Sequence, residues 1–355
     1  MRSITTFNNV PSRFRGHGEL VLVTGISGYL GSHVAGCLTA YGYKVRGTVR
    51  DLKDPRLKFL KAYPSVELVE ADLLSPKTIE SAVKGVKFIC HVASPYKNVV
   101  RKSEATKVLL TPAVEGTKAV LDAAAKHGIT RVVLTSSTAA IYGHGGERGT
   151  GHVFTEKDWN LTSSISNGPY KLSKRLAEQA GWKFMEEKKP GFDLVVINPS
   201  GIFGPLLNDR VDGESAGFIL KLMTGRLPGL PNLSFGAVDV RDCAKAHVHA
   251  LSVPEAAGRR YVCCNETVSV PRIADILRTK FPSLPIPKYV LPNFVVQAAA
   301  AFLPGTGWTE MRQQLENSPL FDNTRIKTDL DVNFTPIEKT FEEMGASLIE
   351  KGFAK

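Results

Sequence analysis

Two clusters of side chains in this sequence have the types and spacing needed to pass a proton to an oxygen atom. Tyr170 and Lys174 stand four residues apart in Tyr170-Lys171-Leu172-Ser173-Lys174, opening a stretch that continues through Leu176, Ala177, Ala180 and Trp182. On a helix, that spacing puts both side chains on one face. An ammonium beside a phenol favours the ionised phenolate. A free tyrosine titrates near 10, and lowering it by about three units takes roughly 4 kcal/mol of differential interaction. The second cluster is Thr135-Ser136-Ser137-Thr138, following the apolar run Val132-Val133-Leu134. A hydroxyl at such a strand end can hold a carbonyl oxygen beside the phenol, and the same residues also suit a turn or a helix cap.

The stretch Thr24-Gly25-Ile26-Ser27-Gly28-Tyr29-Leu30-Gly31 suggests what would bring reactants to these groups. It follows Leu20-Val21-Leu22-Val23, which reads as a buried parallel strand. It precedes His33-Val34-Ala35 and Leu38, spaced like the inner side of a helix. Strand, glycine turn and helix together form a dinucleotide-binding pattern. Here Gly25 allows the tight turn, Gly28 lets the backbone approach a pyrophosphate, and Gly31 lets helix and strand pack closely. The helix N-terminus offers free N–H groups to the phosphates. At the end of the second strand stands Arg50, where an NAD enzyme would carry Asp or Glu. A cation there suits the 2′-phosphate of NADP. Lys53 and Arg56 lie close enough to assist, with Asp51 and Asp54 diluting the local charge. Asp72 ends the third strand, placed either to meet an adenine amino group or to cap the next helix. A bound nicotinamide would add the second positive charge that, with Lys174, lowers the Tyr170 pKa.

The 355 residues, 43% of them hydrophobic, suffice for two domains or one domain with an appended lobe. The net charge of +11 is spread over scattered Lys and Arg, without a basic run or aromatic interleaving. That pattern reads as a solvated surface, and nucleic acid is not an expected partner. The five cysteines have no C-x-x-C spacing, which argues against a zinc site or a disulfide framework and for a reducing compartment. His247 and His249 lie two apart, so they do not share a helix face, and no metal is expected. The apolar stretch 294–303 contains Gln297 and is too short to cross a bilayer, and residues 1–18 lack the apolar segment of a secretory signal. Residues 1–18 read as a disordered extension, with three arginines and no acid before residue 19 as a faint transit-peptide signal. A soluble cytoplasmic protein, monomeric or homodimeric, is the expectation.

Six short apolar strands, near 20–24, 44–50, 66–72, 87–93, 131–135 and 193–198, alternate with helical patterns, including one over 104–127 with Pro112 near its start. This is the pattern of an α/β fold, a doubly wound parallel sheet with ligands beyond the strand carboxyl ends. Residues 19–200 are assigned to the dinucleotide-binding Rossmann domain. Residues 201–355 are assigned mainly to a smaller C-terminal substrate-binding lobe, with 237–264, and Ala237-Val238-Asp239-Val240 in particular, returning to the main sheet.

On the motifs TGISGYLG, VRGTVRD, ADLL, HVASP, VLTSS, YKLSK, NPSGIFGP and VDVRDCAKAH, the chain from about Glu19 to Gly352 resembles the extended short-chain dehydrogenase/reductase family. Within it, the chain is similar to the branch of dihydroflavonol reductases, cinnamoyl-CoA reductases and yeast-type aldehyde/methylglyoxal reductases. The resemblance implies Ser137, Tyr170 and Lys174 as catalytic residues. It implies cofactor contacts from Gly25, Gly28, Tyr29, Leu30, Gly31, Arg50, Asp72, Leu73, Ala93, Pro199 and Ser215. Two departures stand out. Tyr142 occupies a position where plant dihydroflavonol reductases carry Asn or a similar polar reader. Asn167-Gly168-Pro169 precedes Tyr170 where cinnamoyl-CoA reductases have an N-W-Y-C-Y-G-K-type segment. A smaller aldehyde or ketone is therefore expected as the substrate. Tyr142, Phe203, Leu206, Leu207 and Phe218 would form an apolar wall for it.

The combined reading is an NADP(H)-dependent carbonyl reductase in which Tyr170 donates the proton, Ser137 bonds the carbonyl oxygen and Lys174 holds the nicotinamide ribose. The alternatives are a sugar-nucleotide epimerase or dehydratase sharing these residues, and a redox-sensing or nucleic-acid-binding module that has lost catalysis.

Overall fold

The computed structural model describes residues 10–63, 65–94, 102–300 and 308–355. The chain runs β1 (Leu20–Thr24), α1 (Tyr29–Ala40), β2 (Lys44–Val49), β3 (Val66–Glu70), α2 (Pro76–Val83) and β4 (Phe88–His91). It continues through α3 (Thr111–Lys126), β5 (Arg131–Thr135), β6 (Val153–Phe154), α4 (Pro169–Lys188), β7 (Asp193–Pro199) and β8 (Gly201–Phe203). Then come α5 (Glu214–Met223), β9 (Ser234–Asp239), α6 (Val240–Ser252), β10 (Arg260–Cys263), β11 (Glu266–Ser269) and α7 (Val270–Lys280). The last elements are α8 (Asn293–Ala300), α9 (Trp308–Glu316), β12 (Leu320–Phe321), α10 (Thr324–Leu330) and α11 (Ile337–Glu350).

Seven strands form one parallel sheet in the order β10-β7-β5-β4-β1-β2-β3. Its central strands β1, β4, β5 and β7 are buried almost throughout because both faces are covered, whereas β2 and the edge strand β3 carry charged residues such as Arg46, Glu67 and Glu70. Val21 and Val23 face a core shared with α1 and α6, whereas Leu22 faces the opposite core with α2 and α3. Val133 and Val132 divide in the same way. The strand order reverses at β1, which pairs with both β2 and β4. A crevice forms there beyond the carboxyl ends, where such sheets hold ligands. Pro112 stands where a π-turn over Thr106–Leu110 runs directly into α3, with the Thr111 N–H reaching back to the Thr106 carbonyl just before it.

A second core gathers around the three-stranded sheet β11-β9-β8 with α5, α7 and α11. Ala237-Val238-Asp239-Val240 does not pair into the main sheet: β9 pairs with β8 and β11, and Val240 opens α6, while the Val238 and Val240 side chains pack into the main core. From the 237–264 segment only β10 pairs into the main sheet, beside β7, while α6 packs against the sheet face. Part of the expected apolar wall lies in the second core. Phe203 is 3% exposed, stacks on Phe235 and meets Phe341 at a tilt, and Leu206 is 5% exposed. Residues 10–18 are packed rather than loose. Phe14 is fully buried, its ring lying 3.6 Å from the His249 ring and parallel to it. The structure does not describe residues 1–9.

Candidate active site

The turn after β1 is shaped by contacts that only glycine permits at two positions. Gly25 has φ +68°, and a Cβ there would lie 2.9 Å from the Ala93 Cβ. A Cβ on Gly31 would lie 2.3 Å from the Gly25 carbonyl oxygen, so the first turn of α1 closes directly over the loop. Gly28 sits at the N-cap of α1 and donates to the Gly25 carbonyl (2.9 Å). Leu30 is buried in the core. Tyr29 begins α1, and its hydroxyl donates to the Gly204 carbonyl (2.7 Å). Asn208, which motif reading overlooked, donates to the Ser27 carbonyl (3.2 Å), so the segment after β8 is fastened to the glycine turn. Ser215 lies in the first turn of α5, in the second core's helices.

Arg50 directly follows β2, is exposed, and makes no ion pair with a described residue. Lys53 is also exposed, its backbone N–H donating to Asp51 Oδ1 (2.8 Å). Arg56 is committed to Asp54, its Nη2 lying 2.6 Å from Oδ2. Asp72 neither caps α2 nor stands free: its Oδ1 accepts from the Leu74 N–H (2.9 Å), and the N-cap of α2 is Ser75. Leu73 and Ala93 flank the crevice, and the Ala93 N–H donates to Thr24 Oγ1 (3.0 Å). Pro95 of the HVASP motif lies outside the described residues.

Ser137 follows β5, where its Oγ accepts from the Ala139 N–H (3.1 Å) and donates to the Pro199 carbonyl at the end of β7 (3.4 Å). Helix α4 packs on the turn that follows, Thr138–Ala140. Tyr170 and Lys174 occupy one face of its first two turns, the Lys174 ammonium 5.9 Å from the centre of the Tyr170 ring. Lys174 is 7% exposed, and burial lowers its pKa to about 8, with Glu178 pulling upward. Tyr170 is half-buried. His91, at the end of β4, bonds Thr24 Oγ1 through Nδ1 (2.8 Å) and stays neutral, its pKa pushed down to about 3 by burial and then by Lys174. The Tyr142 ring is packed among Phe154 and Phe321, with the Lys171 ammonium 4.9 Å from its centre. His247 and His249 are engaged in the core. Each Nδ1 donates to a carbonyl, of Cys243 and Leu330 respectively, leaving each Nε2 to accept from Thr135 and Tyr41.

The crevice between β1 and β4 fits a dinucleotide. The N-terminus of α1 carries no side-chain cap, and the exposed Arg50 makes no ion pair with a described residue. The chain belongs to the NAD dependent epimerase/dehydratase family, whose model matches residues 21–264. It is 35% identical to a cinnamoyl-CoA reductase of Medicago truncatula, over 95% of this chain and 98% of that protein. A cinnamoyl-CoA reductase of Petunia hybrida is likewise 35% identical, over 94% of this chain and 93% of that one. The fold matches the yeast methylglyoxal/isovaleraldehyde reductase Gre2 complexed with NADPH, with TM-score 0.77 and 27% identity, covering 94% of this chain and 99% of that one. Among the described residues, no helix is long and apolar enough to cross a membrane.

Proposed function

We propose that this protein is an NADPH-dependent reductase of aldehydes or ketones. The observation that carries the reading is the buried Lys174 ammonium on the same face of α4 as Tyr170, with α4 packed on the turn that begins at Ser137. The family membership, the cinnamoyl-CoA reductase relatives and the likeness to an NADPH-bound reductase support it.

When bound, the reduced dinucleotide supplies the hydride. The glycine turn and the N-terminus of α1 hold its pyrophosphate, and Arg50, assisted by Lys53, holds the 2′-phosphate. The Ser137 hydroxyl donates to the carbonyl oxygen and fixes it beside Tyr170. As negative charge grows on that oxygen, the Tyr170 hydroxyl gives up its proton. The Lys174 ammonium stabilises the phenolate left behind and binds the nicotinamide ribose. With Phe203 and Leu206 in the second core, the half-buried Leu207 remains as an apolar candidate for a wall, as does Phe218, which is half-buried and meets Phe235 edge-on at the margin of that core. Apolar walls discriminate weakly, about 1–3 kcal/mol per methylene, so the substrates are medium-sized apolar or aryl carbonyls in some variety.

The test is NADPH oxidation with a panel of aldehydes, ketones, dihydroquercetin and UDP-sugars, for the native protein and Tyr170→Phe. Tyr170→Phe should lose about 10²- to 10⁴-fold in kcat while still binding NADPH. More than about a tenth of native turnover remaining would assign the proton to another group. Turnover of UDP-sugars alone would assign the site to epimerase or dehydratase chemistry.

A further inference from the structure

The Glu178 carboxylate lies one turn beyond Lys174 on α4, is fully buried, and takes no part in the proposed proton transfer. Its Oε2 accepts from Ser136 Oγ (2.5 Å) and Asn198 Nδ2 (2.7 Å). Its Oε1 accepts from Arg260 Nε (2.5 Å) and Trp182 Nε1 (3.2 Å). Four donors thus surround a group with about four acceptor sites. Three of them come from the end of β5, from β7 and from β10. The Asn198 amide also donates to the Ser137 backbone carbonyl (3.1 Å). Arg260 is itself fixed, Nη1 donating to the Glu156 and Asp158 carbonyls (2.9 Å each) and the guanidinium lying 3.8 Å from the centre of the Trp159 ring.

We infer that Glu178 is a positioning residue for the reduction, joining the strand end that carries Ser137 to the helix that carries Tyr170 and Lys174. The inference rests on the reductase reading above. Glu178 ties α4 by hydrogen bonds to the ends of three strands of the sheet, whereas apolar contacts by themselves tolerate small slides. A hydrogen-bonded carboxylate does not, because each donor left behind is buried and unpaired. An ångström of slide is enough to cost turnover, since the phenol and the serine hydroxyl must reach one oxygen atom.

Glu178 also acts on Lys174 through charge. The groups facing the Lys174 ammonium are Glu178 and Tyr170 on its own helix and neutral His91 at the end of β4. Arg260 of β10 lies on the far side of Glu178. Burial disfavours the ammonium and the Glu178 carboxylate favours it. Losing the carboxylate charge therefore lowers the pH at which Lys174 deprotonates. The alkaline limb of kcat moves the same way, because reduction needs the ammonium.

The experiment compares Glu178→Gln, Glu178→Asp, Ser136→Ala and Tyr170→Phe as NADPH-bound enzymes, measuring kcat, carbonyl KM, the pH profile and the urea midpoint. Glu178→Gln should lose about 10- to 100-fold in kcat with KM little changed, and its alkaline limb should move at least about half a pH unit lower. Glu178→Asp keeps the charge, so it should lose kcat while the limb stays in place. Ser136→Ala should lose kcat several-fold, with the urea midpoint lowered by the loss of one buried bond and the protein still folded under assay conditions. Native kcat and an unmoved limb in folded Glu178→Gln overturn the inference. If Glu178→Gln does not fold, Ser136→Ala decides: native kcat overturns the inference, and reduced kcat with unchanged KM in the folded variant supports it. Tyr170→Phe separates the two readings. If it retains turnover, the proton-donor reading fails. If it is inactive while Glu178→Gln is fully active, only the positioning role fails.

Discussion

Replacing Arg50 by alanine should collapse the discrimination between NADPH and NADH while leaving NADH turnover nearly intact. Of the three cations near the end of β2, Arg56 is held by the Asp54 carboxylate, its Nε meeting both oxygens (2.9 and 3.0 Å) and its Nη2 one of them (2.6 Å). Arg50 and Lys53 remain available, and only Arg50 has the planar fork that matches a phosphate with two parallel bonds. A charge-assisted contact of that kind is worth about 1.5–3 kcal/mol. At about 1.4 kcal/mol per tenfold, the native preference for NADPH should be roughly 10- to 150-fold. Arg50 is exposed, and charges in water are screened beyond about 8 Å at physiological salt, which places the expected value toward the lower end. Arg50→Ala should remove about tenfold or more of the preference, and Arg50→Asp should reverse it by repelling the phosphate. Lys53→Ala, touching a mobile point charge, should change the ratio by no more than about fivefold. The assay is kcat/KM for both dinucleotides at low and physiological ionic strength. Equal use of both by the native enzyme, or an unchanged ratio in Arg50→Ala, would refute the reasoning.

Two further predictions concern stability. Phe14→Ala should destabilise the protein by about 3–5 kcal/mol, read as a lower urea midpoint at constant slope, because it empties a fully buried position against His249. Arg13→Ala next to it should cost less than about 1 kcal/mol, since its ion pair with Asp331 is exposed. Acid should weaken the fold well before carboxylates titrate. Burial lowers the pKa of His33, His247 and His249 to about 4 and of His91 to about 3. The unfolded chain takes up those protons near 6.5, so stability is intact above that pH and is lost as the pH falls toward 4. Each histidine contributes up to about 1.4 kcal/mol per unit of displacement. A urea midpoint that stays flat from pH 7 to 5 would contradict this.

Much of the main sheet was legible because its strands are buried on both faces, so that burial and sequence run coincide over stretches such as Leu20-Val21-Leu22-Val23. The four-residue spacing of Tyr170 and Lys174 was legible for a similar reason: a helix fixes which side chains are neighbours. Pairing partners were harder. Val238 is apolar whichever sheet its strand joins, so nothing local distinguished the main sheet from the smaller one. Phe203 and Leu206 were ambiguous in the same way, since the inside of a core and the wall of a cleft call for the same side chains. Charge composition misled over residues 10–18, where one phenylalanine among arginines finds a site created by α6 and residues near 330. Glu178 had a visible sign, its place one turn after Lys174 on the same face. Arg260 had none, because its partner lies on an element 82 residues away.

The chain passes between its two cores several times. It leaves the main sheet after β7, returns with α6 and β10, departs again at β11, and comes back with α10, which packs on α6 and β10. No single cut separates the two cores into continuous pieces, and a nick in either would leave fragments still interleaved. Transplanting the smaller core from a relative would require several junctions, each rebuilding contacts such as the Tyr29 hydroxyl on the Gly204 carbonyl. Altered specificity is therefore more readily engineered, and more readily evolved, by changing individual loops than by recombining whole segments.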